Sequence, residues 1–370
     1  MIDQKRALES FLRYIAVDSE THHEKPMTEL LVRELEALGL TVTVDRVGED
    51  PAVESDSGNI FATLPGDETL SPMLFSAHQD TVTPGRGIRP RVEDGYVYSD
   101  GTTILGADDK SGVAAIMEAL RVIREKELPH RPIEILFSVR EEGGLRGSAY
   151  FDYAPVRSRQ AVVLDTGGHA GTIITQAPSQ TKLRAEITGK VSHAGSAPEK
   201  GVSAIMAGAR AVSNMKLLRI DEETTANVGT LSAVGVTNIV NDKALFEAEA
   251  RSLSPAKLEA QVAHMTACLE EACAHFGAQL RLERTDLYTA YRIPDSDPLV
   301  QRIAALCGPL GLEAETCSTG GGADSNNFNQ RGITAVVLAC GMEQVHTCAE
   351  RLCLKDFYGA AELVLALMQP

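Results

Sequence analysis

"MLFSAHQDTV", residues 73–82, begins as an apolar run and stops on a histidine, with an aspartate just beyond it. A packed core needs neither side chain. The pair reads as the end of a strand at a place where something is bound. The same pattern recurs along the chain. "PIEILFSV" runs into "REEGG", "AVVLD" closes on Asp165, and "ITAVVLAC" is followed after a short loop by His346. Each run delivers an imidazole or a carboxylate just past its C-terminal end. After the first of them, "GADDKSGVAAIMEALRVIREKEL" opens with glycine and aspartates, then turns Val113, Ile116, Met117, Leu120 and Ile123 to one helical face. Strands alternating with helices imply an α/β fold, a mixed and largely parallel sheet flanked by helices. Such sheets bind ligands beyond the carboxyl ends of their strands.

Helical spacing is also read over residues 4–16 and 27–38, and strands in "TVTVDRV" and "NIFATLPG". The pattern changes over residues 178–286. Strands are read in "QTKLRAEITGK", "TNIV", "ALFEAEARS" and "AQLRLERTD", and helices in "GVSAIMAGARAVSNMKLL" and "SPAKLEAQVAHMTACLEEACAHFG", the last opened by Ser254 as N-cap and Pro255. That is the make-up of a small α+β sandwich. The expectation is a catalytic α/β domain of residues 1–177 and 287–370, with residues 178–286 inserted as a lid or dimerisation domain.

Composition limits the function classes. A formal net charge of −16 speaks against a nucleic-acid or general polyphosphate binder and suits a protein that holds cations. The first twenty residues carry charges throughout, unlike a signal peptide, and no apolar run reaches the ~18 residues of a membrane span. Seven cysteines, an odd number without a C-x-x-C, suggest reduced thiols and a cytoplasmic protein.

The metal-ligand candidates are His78, Asp108, Glu142, Asp165 and His346. Mixed imidazole and carboxylate donors suit zinc, and cobalt or manganese as well. Each residue alone has an ordinary reading: a surface histidine, an N-capping aspartate, a solvated turn. The case rests on all five falling at strand ends, in the order a sheet would present them. "STGGGADSNNF" lacks the spacing of a dinucleotide fingerprint or a P-loop. Backbone amides of Gly320, Gly321 and Gly322 could instead form a nest for a substrate carboxylate or carbonyl, with Asp324 orienting the loop. His22, His23, His130, His169, His264 and His275 have no such context and read as structural or surface residues.

"SAHQDTV", "GADDKSG", "REEGG", "LDTGG", "VSHAGSAPEKGVSA", "TNIV" with "ARS", "GGGADSNNF" and "VHTCAE" together resemble the co-catalytic zinc peptidases, the family of peptidase T, glutamate carboxypeptidase, desuccinylase and aminoacylase. The likeness spans nearly the whole chain and is greatest to the peptidase T-like members, through "GTTILGADDKSG". It implies two zinc ions bridged by Asp108, with His78 and Asp165 completing one site and Glu142 and His346 the other. Glu141 would be the general base acting on a metal-bridging water. Asp80 would accept a hydrogen bond from the free ring nitrogen of His78. The two glutamates, adjacent in what reads as extended chain, would point to opposite sides. The peptide between Asp108 and Asp109 would be cis. His193 would steady the oxyanion in a partner subunit's site, making the protein a homodimer, and Asn238 and Arg251 would grip the substrate. The activity so implied is that of an exopeptidase on short peptides, tripeptide aminopeptidase-like. A carboxypeptidase or an N-acyl-amino-acid deacylase shares the metal site, and a non-catalytic metal- or peptide-binding scaffold shares the fold.

Overall fold

The computed structural model describes residues 1–370. The chain divides into two units: residues 1–176, 292–319 and 323–370 form one, and residues 177–291 with 320–322 form the other. The entry into the second unit lies one residue before the expected boundary and the exit five after it. The Gly320–Gly322 stretch counts with the second unit although the chain around it belongs to the first.

The first unit is built on a large mixed sheet. At its centre the strands Ile133–Ser138, Met73–His78, Gln160–Gly167 and Thr334–Glu343 lie side by side in that order. All three pairings among them are parallel, with Met73 opposite Ile133, Leu74 opposite Ala161 and Thr334 opposite Gln160. Strands covered on both faces favour apolar residues on both, which is why these segments read as nearly continuous apolar runs, interrupted only by residues such as buried Ser76 and Glu134. Alternate side chains go to opposite faces. Phe75, Ile135, Phe137 and Val162 join one core cluster, and Leu74, Leu136, Ala161 and Val163 join another. The first face packs against the helices Gln4–Ile15, Ala107–Lys126 and Leu354–Met368, through Phe11, Ile116, Leu120 and Phe357. Phe328 of the short helix Asp324–Gln330 packs on the second. Antiparallel strands extend the sheet on both sides: Thr41–Val44 and Ile60–Leu64 beyond one end, Arg351–Cys353, Tyr96–Tyr98 and Arg91–Glu93 beyond the other.

The second unit is a five-stranded antiparallel sheet in the order Leu218–Arg219, Thr224–Ser232, Lys243–Ser252, Ser179–Thr188, Gln279–Tyr288. Its helices Ala204–Asn214 and Pro255–Phe276 contribute Ala207, Ala211, Met265 and Leu269 to a core with Leu183, Ile187 and Phe246 of the sheet. Strand Ser179–Thr188 shows the alternation this requires, with Leu183, Ala185 and Ile187 buried and Lys182, Arg184 and Glu186 exposed. Two details differ from expectation. "TNIV", residues 237–240, is a loop, and the strand beside Lys243–Ser252 is instead Thr224–Ser232. That strand mixes threonines with a glycine and is bulged between Val228 and Thr230, so its apolar pattern is faint. Ser254 occupies the N-cap position of the long helix without a side-chain hydrogen bond.

Candidate active site

Because the four central strands run parallel, their C-terminal ends open on one edge of the sheet. His78 is the last residue of its strand, and Glu141 and Glu142 follow Ile133–Ser138 within a short turn. Asp165 lies inside Gln160–Gly167. Between the pairs Val163–Val337 and Thr166–Ala339 the register slips by one residue, and this bulge takes Asp165 out of regular pairing. His346 sits in the loop after Thr334–Glu343 with a left-handed backbone, φ 63°. Asp108 opens the helix Ala107–Lys126, but neither it nor Asp109 has helical dihedrals, and the peptide between them is cis.

The five ligand candidates meet. His78 Nε2 lies 2.9 Å from Asp108 Oδ1 and 3.7 Å from Asp165 Oδ1. On the other side His346 Nε2 lies 3.2 Å from Asp108 Oδ2 and 3.0 Å from Glu142 Oε1. Donor atoms of His78, Asp108 and Asp165 fall within 4.8 Å of one another, and so do those of Asp108, Glu142 and His346. The two oxygens of Asp108 thus face one set each. Glu142 Oε1 is buried and has no hydrogen-bond partner, its 3.0 Å approach to the His346 ring being out of line for one. An orphaned carboxylate oxygen among imidazoles and carboxylates is what a bound cation would satisfy, so the donor set fits two metal ions sharing Asp108.

Electrostatics point the same way. Burial, then the charge of Asp165, pushes the Glu141 carboxyl well above its usual range, and burial with the charge of Asp108 does the same to Asp165. Glu142 is raised by burial and Asp108. The carboxylates of Asp108 and Glu142 push His346 up to about 10. Burial opposes a charge on His78, but bonds to Asp108 and Asp165 overcome it and raise its pKa. Burial likewise works against ionisation of Asp108, and the two rings outweigh it. Without metal the cluster therefore holds protons where cations would go.

Three expected details are revised. Glu141 and Glu142 are not in extended chain. They open a turn closed by Gly144 N and Leu145 N on the Glu141 carbonyl, at 2.9 and 2.7 Å. Their carboxylates still have different neighbours: Glu141 Oε2 is 3.9 Å from His78 Nε2, while Glu142 faces His346. The Asp80 carboxylate stands 3.5 Å from His78 Nδ1, and that nitrogen is closer, at 2.9 Å, to the Asp80 carbonyl. The carboxylate is already occupied. Oδ1 accepts from Glu141 N at 3.0 Å, and Oδ2 from Glu142 N at 3.3 Å and from the Thr21 hydroxyl at 2.9 Å. Asp324 is buried and bonded to the hydroxyls of Ser138 and Ser148, so it braces the strand leading to Glu141.

The remaining candidates lie in the second unit. His193 is exposed, and its Nδ1 accepts from Gly195 N and Ser196 N, both at 3.1 Å. With Nδ1 accepting, Nε2 is the ring nitrogen left to donate. Exposed Asn238 is beside it: the Asn238 carbonyl accepts from Ala194 N at 2.9 Å. Arg251 is engaged by Glu249, with Nε at 2.8 Å and Nη2 at 3.3 Å from its two oxygens, and Nη1 lies 3.4 Å from the Gly320 carbonyl. Gly322 has a packing reason to be glycine, since a Cβ there would come within 2.3 Å of the Tyr288 ring.

Two buried carboxylates at the site have contacts that the sequence reading does not anticipate. Asp109 accepts from His78 N at 3.1 Å and Gly112 N at 3.2 Å. Glu350 accepts from Leu105 N, Gly106 N and Asp108 N at 2.8, 2.9 and 3.0 Å. Glu350 stands in the quoted "VHTCAE", but nothing in its spacing ties it to residues so far back in the chain.

Residues 74–369 match the model of the peptidase family M20/M25/M40. The uncharacterized protein YqjE of Bacillus subtilis is 42% identical, over 100% of this chain and 99% of its own. The crystal structure of an aminopeptidase PepT from Bacillus cereus is 40% identical with a TM-score of 0.87, covering 99% of this chain and 98% of that one. A tripeptidase from Staphylococcus aureus is 38% identical with a TM-score of 0.93, covering 100% and 98%.

Proposed function

The chain belongs to peptidase family M20/M25/M40 as a peptidase T-like member, and from that premise we propose that it is a cytoplasmic di-zinc aminopeptidase that removes the N-terminal residue of short peptides. The observation that carries this reading is the convergence of two donor sets on Asp108, with the Glu141 carboxylate beside them, 3.9 Å from His78 Nε2. His78, Asp108 and Asp165 would hold one ion, and Asp108, Glu142 and His346 the other. When bound, a pair of dications lowers the pKa of an attacking water and polarises the scissile carbonyl.

The protein's own groups do the rest. Glu141 takes the proton of the attacking water and passes it to the leaving amine. Asp80 fixes the turn that presents Glu141 and Glu142. His193 Nε2–H donates to the tetrahedral oxyanion from a second subunit. Arg251, whose fork suits a carboxylate, exchanges Glu249 for the carboxylate of the substrate, with Asn238 and the amides of Gly320, Gly321 and Gly322 completing the grip. The homodimer is supported by a cleft of about 560 Å³ in the second unit, lined among others by Ile205, Met206, Val236 and Ile239. These four stand 47, 55, 61 and 44% exposed, an apolar face that a second copy would cover.

The test is a panel of dipeptides, tripeptides and N-acyl amino acids assayed with added zinc, with amino and carboxyl termini blocked in turn. Tripeptides with a free amino terminus should be the best substrates, and blocking that terminus should abolish turnover. Preferred hydrolysis of N-acyl amino acids, or cleavage at the carboxyl end, would replace the aminopeptidase reading. An active species that sediments as a monomer would remove the role given to His193.

A further inference from the structure

Three carboxylates beside the ligand candidates each follow one ligand in sequence and hold the backbone of another. Asp80, two residues after His78, accepts from the amides of Glu141 and Glu142. Asp109, one residue after Asp108, accepts from the amide of His78. Glu350, four residues after His346, accepts from the amide of Asp108. Lacing of this kind lets each ligand-bearing segment set the position of the next.

The Glu350 link is the fullest of the three. Its carboxylate is 1% exposed and sits in a cradle of three amides: Oε2 takes those of Leu105 and Gly106, and Oε1 that of Asp108. At the other end Glu350 is tied to the His346 loop. The loop is wound by left-handed residues at Gln344 and His346, by Thr347 Oγ1 donating to Gln344 O at 2.8 Å, and by Glu350 N donating to Thr347 O at 3.1 Å. The next residue enters the sheet, Arg351 pairing with Glu343. The ring of His346 then meets Asp108 Oδ2 at 3.2 Å. Two links therefore join the same two segments, one through the backbone of Asp108 and one through its side chain.

We propose that Glu350 is a positioning residue that registers the His346 loop against the Asp108 turn and so preforms the Asp108–Glu142–His346 metal set. The inference rests on the two-metal reading above. Glu350→Gln removes the charge and turns an amide NH₂ toward at least one of the three backbone N–H groups. Glu350→Asp keeps the charge and withdraws it by one methylene.

Metal-free wild-type and variant proteins are titrated with zinc alone against a chromophoric chelator, and bound zinc is counted by elemental analysis. Wild type should bind two equivalents. Glu350→Gln should weaken one of them by about 10- to 100-fold, the usual effect of losing a group that orients a ligand, and leave the other unchanged. Glu350→Asp should fall between, and it decides by the same readout should Glu350→Gln not fold. Two equivalents bound as in wild type, or both weakened alike, would overturn the role of Glu350. Fewer than two equivalents on wild type would remove the two-metal reading, and this inference with it.

Discussion

Replacing Asp80 by asparagine keeps the shape of the side chain and removes its charge. One carboxamide oxygen can still accept from Glu141 N, now 3.0 Å from Oδ1, but the NH₂ then faces Glu142 N and the Thr21 hydroxyl, 3.3 and 2.9 Å from Oδ2. Thr21 can turn, since its hydroxyl also reaches the Thr81 carbonyl at 3.2 Å. The Glu142 amide cannot turn, and leaving it buried opposite another donor costs about 1–3 kcal/mol. The retained bond weakens from charged to neutral, roughly 1 kcal/mol more. A gain offsets part of this. Burial first, and then the charge of Asp80, raises buried Glu24 to about 7, and Asp80→Asn relieves that repulsion. The net expectation is a loss of about 2–3 kcal/mol in the metal-free protein, read by chemical denaturation with circular dichroism. Because the displaced peptide carries both Glu141 and Glu142, kcat with saturating zinc should fall by about 10- to 100-fold. Thr21→Val, which deletes only the hydroxyl donor, should cost less on both counts. Wild-type stability and kcat in Asp80→Asn would mean that the turn is held by something other than this carboxylate.

The two glutamates should separate by function. Glu141→Gln should keep both zinc ions and the fold while kcat drops by about 10²–10⁴, and Glu142→Gln should lose one zinc first and regain activity with added metal; the reverse pattern would exchange their roles. Arg251→Ala should raise KM for peptides with a free carboxylate far more than for their amides, and equal effects would show that Arg251 does not grip the substrate carboxylate. The pH dependence has a defined sign. His78, His346, Glu141, Glu142 and Asp165 all have raised pKa values in the folded metal-free protein, so the stability they contribute is present at low pH and lost as pH rises toward the value of about 10 for His346. Buried Lys110, lowered to about 7, opposes this, but it does so with and without metal. The rise in Tm on adding zinc should therefore grow as pH increases above about 6.5, where the competing protons leave. A zinc effect independent of pH would contradict the proton-filled cluster.

The site was more legible than the scaffold that holds it. Strands buried on both faces are mostly apolar, so a histidine or aspartate at or just beyond the end of such a run stands out, as His78, Asp165 and His346 do. Glu350 does not, because a carboxylate held only by backbone amides leaves no mark in the sequence at the positions that hold it. The strand Thr224–Ser232 was missed for a related reason: half of its side chains face solvent, and the bulge at Val228 breaks its period. "TNIV" misled in the opposite direction, since its β-branched residues lie in an exposed loop. Arg251 read as a free grip on substrate, although Glu249, two residues away on the same strand, already holds it.

The order of the central strands bears on how the protein is made. Gln160–Gly167 pairs with Met73–His78 on one side, but its parallel neighbour on the other side is Thr334–Glu343, and the whole second unit is synthesised between these two. At about 5–20 residues per second, Asp165 leaves the ribosome roughly ten to forty seconds before His346. Until then the nascent chain holds His78, Asp108, Glu142 and Asp165 but no complete second metal set, and one edge of its central sheet is unpaired. On the two-metal reading, a nascent molecule stays inactive until His346 has emerged and Thr334–Glu343 has joined the sheet. The same arrangement leaves that open edge to be shielded during synthesis, most simply by a chaperone.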